Sequence, residues 1–298
     1  MQAALMMVLA TMLFAMMGVS VKYASALYGT GEIVFYRGLV GALLMLGWAR
    51  WQRVGLRTAV PGMHFWRSAS GVSALMLWFY AIGSLPLATA VTLNYMSSVW
   101  MALFLLGGAV LMGASRVDGR LITAVMVGFA GVVLVLRPTL AQDQLWGGLT
   151  GLLSGMLSAT AYLQVTALGR AGEPEPRIVF YFSLGGMVAG LAVALASGGL
   201  HGHTLRGIGL LVATGVLATM AQLLMTRAYA IGRALSNASL QYLGIVWSFG
   251  FGVWLFDDAV NPMTLTGIAL IVAAGLGSTL LRSRSAPVAD RDGPPTET

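Results

Sequence analysis

Ser68 to Ser115 reads SASGVSALMLWFYAIGSLPLATAVTLNYMSSVWMALFLLGGAVLMGAS, and no charged residue interrupts it for 48 positions. As one helix rising about 1.5 Å per residue it would measure about 72 Å, against an apolar bilayer core of about 30 Å. The run therefore holds two membrane spans. Proline removes a backbone donor and ends helices, so the break is predicted at Ser84, Leu85 and Pro86. The same cutting along the chain predicts ten spans, at 3–23, 32–50, 65–83, 87–111, 120–137, 146–168, 178–198, 207–229, 235–256 and 262–281.

Composition agrees with a chain whose solvent is lipid. Of 298 residues, 58% are hydrophobic and 9% charged, where soluble domains carry about 25% charged. Mean hydropathy is +0.83, more apolar mass than one core hides. Disordered, collagen-like and disulfide-stapled classes are excluded, the last because cysteine is absent. The net charge of +7 does not mark a nucleic-acid binder, because the Lys and Arg residues punctuate apolar blocks instead of forming a stripe.

Those charges orient the chain. With a cytoplasmic N-terminus, the inner loops and tail hold Arg50, Arg53, Arg57, Arg67, Arg116, Arg120, Arg170, Arg177, Arg227, Arg233, Arg282, Arg284 and Arg291, and the outer loops only Arg137 and Arg206. The positive-inside rule then predicts both termini in the cytoplasm. Asp257 and Asp258 face outward, and the polar, Pro-rich stretch 282–298 is expected to be a disordered tail.

A repeat is readable within the apolar blocks. Ile33-Val34-Phe35-Tyr36 recurs as Ile178-Val179-Phe180-Tyr181, an offset of 145; Tyr80-Ala81-Ile82-Gly83 recurs as Tyr229-Ala230-Ile231-Gly232, an offset of 149; Gly131 and Gly275 match at 144. Three matches in one order divide the chain into 1–140 and 141–281, five spans each. An odd number of spans inserts the second half upside down. Such inverted repeats place a substrate site near the bilayer midplane, between two gates related by pseudo-symmetry.

With Lys22, Glu32 and Arg37 in the stretch Lys-Tyr-Ala-Ser…Gly-Glu-Ile-Val-Phe-Tyr-Arg, the Tyr80 and Tyr229 segments, and Gly-rich fifth and tenth spans, residues 3–281 resemble the drug/metabolite transporter superfamily, in particular proteins with two EamA-type halves. The resemblance implies an all-α integral membrane protein of ten helices as two inverted five-helix repeats. It implies a central cavity lined by helices 1 to 4 and 6 to 9. Substrates across that superfamily range over amino acids, nucleotide sugars, vitamins, polyamines and toxic cations.

Ionisable groups within spans are costly and hence functional candidates. Arg37, whose counterpart in the second half is Phe182, is a candidate anchor for a substrate carboxylate or phosphate, or else a structural partner of Glu32 or of helix carbonyls. Glu32 at a span edge could couple transport to a proton gradient, or pair with Lys22. Among uncharged polar groups, Asn94, Gln164, Gln222 and Gln241 are candidate cavity residues, as are the rings of Trp78, Tyr80, Tyr95, Trp100, Tyr162 and Trp247; helix-to-helix hydrogen bonding and core packing are the alternatives. Trp100 and Trp247 are favoured among the rings because they fall near span centres. Gly151/Gly155, Gly186/Gly190 and Gly244/Ser248/Gly252 predict close helix approach.

No phosphate loop and no His-Glu-x-x-His pair occurs, and His64, His201 and His203 fall in predicted loops or at a span end. No cofactor and no metal is expected. The reading is therefore a secondary transporter, not an enzyme, moving an amino acid or similar small amphipathic metabolite across a bacterial inner membrane, with export favoured. Uptake of a vitamin or nucleoside-like metabolite, such as riboflavin or S-adenosylmethionine, and an enzyme acting on a lipid-linked substrate are the rivals. Expected partners are the small-molecule substrate and the lipid bilayer, with proton coupling and a homodimer left open.

Overall fold

A computed structural model describes residues 2–53, 55–97, 99–101, 103–104, 107, 123, 126–134, 144–231 and 240–285. Its regular structure is helical: α1 (Gln2–Ala24), α2 (Thr30–Trp51), α3 (Pro61–Ser84), α4 (Leu87–Tyr95), α5 (Leu145–Arg170), α6 (Glu175–Ala196), α7 (Leu205–Ile231), α8 (Leu243–Phe256) and α9 (Pro262–Ser285), with 126–134 also helical. α1, α2, α5, α6 and α7 are each long and apolar enough to cross a membrane. Parts of the predicted fourth, fifth and ninth spans, with Arg116, Arg120, Arg137, Arg233, Asn237 and Ser239, lie outside the described residues, as does the tail from 286.

α3 starts four residues earlier than its predicted span. Pro61 stands at the first helical position, where its fixed φ suits the helix and its missing N–H costs nothing. The extension carries His64 out of the expected cytoplasmic loop and into the packed body; His64 and Arg67, the latter expected among the inner-loop charges, are both 3% exposed. α3 and α4 part at Leu85 and Pro86, as the proline predicts.

Two predicted spans are interrupted. α4 stops at Tyr95, and the backbone turns at Met96 before helix resumes. Thr92 Oγ1 donates to the Ala88 carbonyl at 2.6 Å just before the turn, a back-bond that bends helices. In the ninth span a turn at Tyr242 precedes α8. At its far end α8 closes on Asp257 in the left-handed region (φ 51°), and the Asp258 N–H returns to the Gly252 carbonyl.

The helices meet pairwise across the middle of the molecule. α2 lies against α6, α1 against α7, and α3 against α5. α4 touches α5 and α8, α1 touches α8, and α7 and α6 flank α2 and α3. Hydrophobic driving force between helices is weak in lipid, so close backbone approach has to supply attraction. At Gly38 a side chain would strike the Met187 amide, and at Gly190 it would strike the Phe35 amide. The start of α2 thus lies against the end of α6, and these two helices run antiparallel.

Candidate functional site

Two adjoining small cavities occupy the centre and share Phe14, Trp78, Asn94, Tyr162 and Met225. The first adds Tyr95 and Gln241; the second adds Arg37, Arg67, Phe182 and Gln222. Residues from α1 to α7 meet here with Gln241, so both halves of the chain contribute. A larger, open space lies between α3 and α6, lined by groups such as Phe65, Val72, Met76 and Val188. Its apolar rim of partly exposed side chains is what a lipid-facing groove requires.

Of the residues proposed from sequence, Arg37, Trp78, Asn94, Tyr95, Tyr162, Gln222 and Gln241 line the central space. Four do not. Tyr80 is 47% exposed; two residues from Trp78 on one helix, it points to the other side. Gln164 stands in the same relation to Tyr162 and accepts a 2.9 Å hydrogen bond from Ser70 of α3. Trp100 packs edge-on against Phe129 at 5.1 Å and tilted against Phe104. Trp247 keeps a buried indole N–H that lacks a partner among the described residues, and it lines neither cavity.

The charged centre differs from expectation. The Arg37 guanidinium bonds neither Glu32 nor a carbonyl. It lies 5.2 Å from the Phe182 ring centroid, and the Arg67 guanidinium lies 4.2 Å from the same centroid. Arg37 and Arg67 are 4% and 3% exposed, and among the described residues no carboxylate pairs with either. Arg37 Nε, Arg67 Nε and Nη1, and Trp78 Nε1 are buried donors without acceptors among the described residues. Gly71, one turn from Arg67, makes the room: a Cβ there would collide with Nη1. A charge at the centre of a span costs about 2.5–3.5 kcal/mol, and stacking on a desolvated ring returns about 2 kcal/mol. Two such cations leave a deficit that an anion would remove.

Sequence reasoning missed Arg67 because, two residues inside its predicted span 65–83, it reads as one of the inner-loop charges. It missed Phe14, Met7 and Met225 because an apolar cavity wall and an apolar core read alike. Asn94 is fixed from behind, its amide donating to Ser154 and Ser158 of α5 at 3.0 and 3.1 Å. Gln241 reaches the Met225 sulfur at 3.7 Å.

Polar clasps close both ends of the bundle. At one end Glu32, 2% exposed, accepts the His201 backbone N–H at 3.1 Å and meets His201 Nδ1 at 2.8 Å and His203 Nε2 at 3.7 Å. The expected Glu32–Lys22 pair is absent because Lys22 turns instead to Asp258 (3.4 Å) and the Leu85 carbonyl (3.0 Å). Asp258 also accepts the first N–H of α4 at Leu87, 2.9 Å away. The two histidines are thus occupied by a carboxylate, and no group of three metal-ligating side chains gathers among the described residues.

At the opposite end Arg177 donates to the Gly55 carbonyl at 2.8 Å and to Glu173 at 3.2 Å, while Tyr181 donates to the Leu56 carbonyl at 3.0 Å. Glu173 also accepts from Thr58 at 2.9 Å and meets His64 Nε2 at 3.1 Å. Burial raises the Glu173 pKa, but hydrogen bonds from His64, Thr58 and Arg177 outweigh it and hold the carboxyl below its ordinary value.

Apolar spans around a buried, donor-rich cavity describe a multi-pass membrane protein built to hold a small solute, and known proteins agree. A pseudopaline exporter of Pseudomonas aeruginosa is 34% identical over 272 residues, covering 91% of this chain and 93% of its own. A riboflavin transporter of Rhizobium johnstonii is 27% identical, covering 92% and 89%. A solved crystal structure 18% identical in sequence covers 95% of this chain and 98% of its own at a TM-score of 0.68, which shows the fold. No family model matches the chain. The protein is a metabolite transporter, not an enzyme. It belongs to the drug/metabolite transporter superfamily.

Proposed function

We propose that the protein is a secondary transporter that exports a small organic metabolite across a bacterial inner membrane by alternating access between two inverted five-helix halves, residues 1–140 and 141–281, with both termini cytoplasmic. The observation that carries this reading is the buried central cavity, lined from both halves and holding unpartnered cations. Arg37, Trp78, Asn94, Tyr95, Tyr162, Gln222 and Gln241 are its proposed substrate contacts, joined by Arg67 and Phe182.

The helix pairing supports the inverted repeat. Exchanging the halves maps α1·α7 onto α5·α3, α1·α8 onto α5·α4 and α2·α7 onto α6·α3, and leaves α2·α6 and α4·α8 unchanged; every one of these contacts is present. The clasps support two gates. Glu32 and Arg177 stand 145 positions apart, and each holds a loop of the other half at its own end.

Export follows the 34% identity to an exporter. Uptake of a flat aromatic metabolite is the second reading, favoured by the Phe14, Trp78 and Tyr162 walls and the likeness to a riboflavin transporter.

The chain lacks cysteine, so single cysteines report cleanly. In intact cells a membrane-impermeant maleimide is expected to label Arg206→Cys and to spare Arg57→Cys until the cells are opened. Labelling of both from one side removes the inverted arrangement. Reconstituted vesicles preloaded with a metabolite mixture are expected to show counterflow of a labelled solute, and no flux across a broad panel overturns the carrier.

A further inference from the structure

We propose that the central site selects solutes bearing two negative charges, held by Arg37 and Arg67 together; this rests on the carrier reading for translocation but not for binding. The two guanidiniums come from different helices, α2 and α3, and press on one ring, that of Phe182. Both are more than nine-tenths buried, and among the described residues three of their N–H-bearing nitrogens lack an acceptor. Trp78 on the same wall adds a fourth unpartnered donor.

A guanidinium fork matches one carboxylate in two parallel hydrogen bonds. A monoanion satisfies one fork and leaves the second cation buried and repelled by the first. A double negative charge satisfies both and cancels the repulsion. Two carboxylates on a short organic body meet this need, and so does one phosphate group. Around the cations, Phe14, Leu75 and Met225 offer apolar surface to the body, and Asn94 and Gln222 offer amides to its polar substituents.

The test is thermal unfolding of the purified full-length protein in detergent at constant ionic strength. The probes are malonate, succinate, glutarate and adipate, the monoamide of each, and phenyl phosphate. A bound ligand raises the apparent melting temperature. At least one dianion is expected to half-saturate at a concentration about tenfold lower than its monoamide, the scale of one charge-assisted fork. A dicarboxylate hit assigns two separate acids, and a phenyl phosphate hit assigns a phosphorylated solute.

Arg37→Gln and Arg67→Gln are each expected to abolish the shift. If either fails to give monodisperse protein, Arg37→Lys and Arg67→Lys serve, since lysine keeps the charge and loses the fork; each is expected to weaken the shift about tenfold. A monoamide as effective as its diacid, or a panel in which no dianion shifts the transition, overturns the proposal. Dianion binding without counterflow in vesicles would instead sink the carrier reading alone.

Discussion

The Arg37 guanidinium rests against Phe182, the residue 145 positions later, at the offset that turns Ile33–Tyr36 into Ile178–Tyr181. Equivalent residues of two copies meet only near the axis relating them. The contact therefore sets the binding centre on the proposed pseudo-twofold, where each gate is equally distant. It also explains how one half can carry a cation and the other the ring that tolerates it.

Arg37→Ala is expected to abolish flux while leaving monodisperse protein, since the side chain bonds no helix. Phe182→Leu keeps the volume and removes the π face, and should weaken substrate affinity several-fold, about 1 kcal/mol. Gly71→Ala should do likewise by pushing Arg67 off the ring. Aggregation of Arg37→Ala in place of a silent, folded carrier would assign the arginine to structure.

Gly38→Val and Gly190→Val place side chains against backbone of the facing helix. Overpacking of this kind costs about 1–3 kcal/mol, so both should lower the melting temperature in detergent. Gly47→Ala, with open space around it, should not. Equal effects at all three positions would remove the close-approach account of the α2–α6 contact.

Glu173 gives a pH signature. Its folded pKa is depressed, so its contribution is complete above the unfolded carboxylate pKa and is lost as pH falls through the folded value. Wild-type stability should exceed that of Glu173→Gln at neutral pH, and the gap should close as acid protonates the carboxylate. A gap independent of pH would mean that the clasp draws nothing from the charge.

Proton coupling through Glu32 has its own test. Glu32→Gln keeps the shape of the clasp with His201 and removes its proton acceptor, so transport should lose its response to an imposed pH gradient. A full response in this variant would restrict Glu32 to holding the loop at His201 and His203.

Most of the fold was legible in the chain because lipid imposes a coarse rule: apolar length sets the spans, and Pro86 splits the longest run. Trp78, Asn94 and Tyr162, candidates from the sequence, line the central cavities. Helix rotation separates the remaining candidates. Trp78 with Tyr80, and Tyr162 with Gln164, are each two positions apart and cannot both face inward. Arg67 was hidden by its place two residues inside the edge of the predicted span, where an arginine reads as a cytoplasmic anchor. The interruptions at Met96 and Tyr242 carry no proline, so only packing reveals them.

Those interruptions bear on how the ends open. Each lies at the level of the cavity, Met96 beside Tyr95 and Tyr242 beside Gln241. At each the backbone stays right-handed and tightens, the Met96 N–H shared between the Thr92 and Leu93 carbonyls and the Ile245 N–H bonded to the Tyr242 carbonyl, a local distortion at which a helix bends. Under the proposed alternating access, these points would let either mouth part while the α2–α6 seam stays closed as the fulcrum.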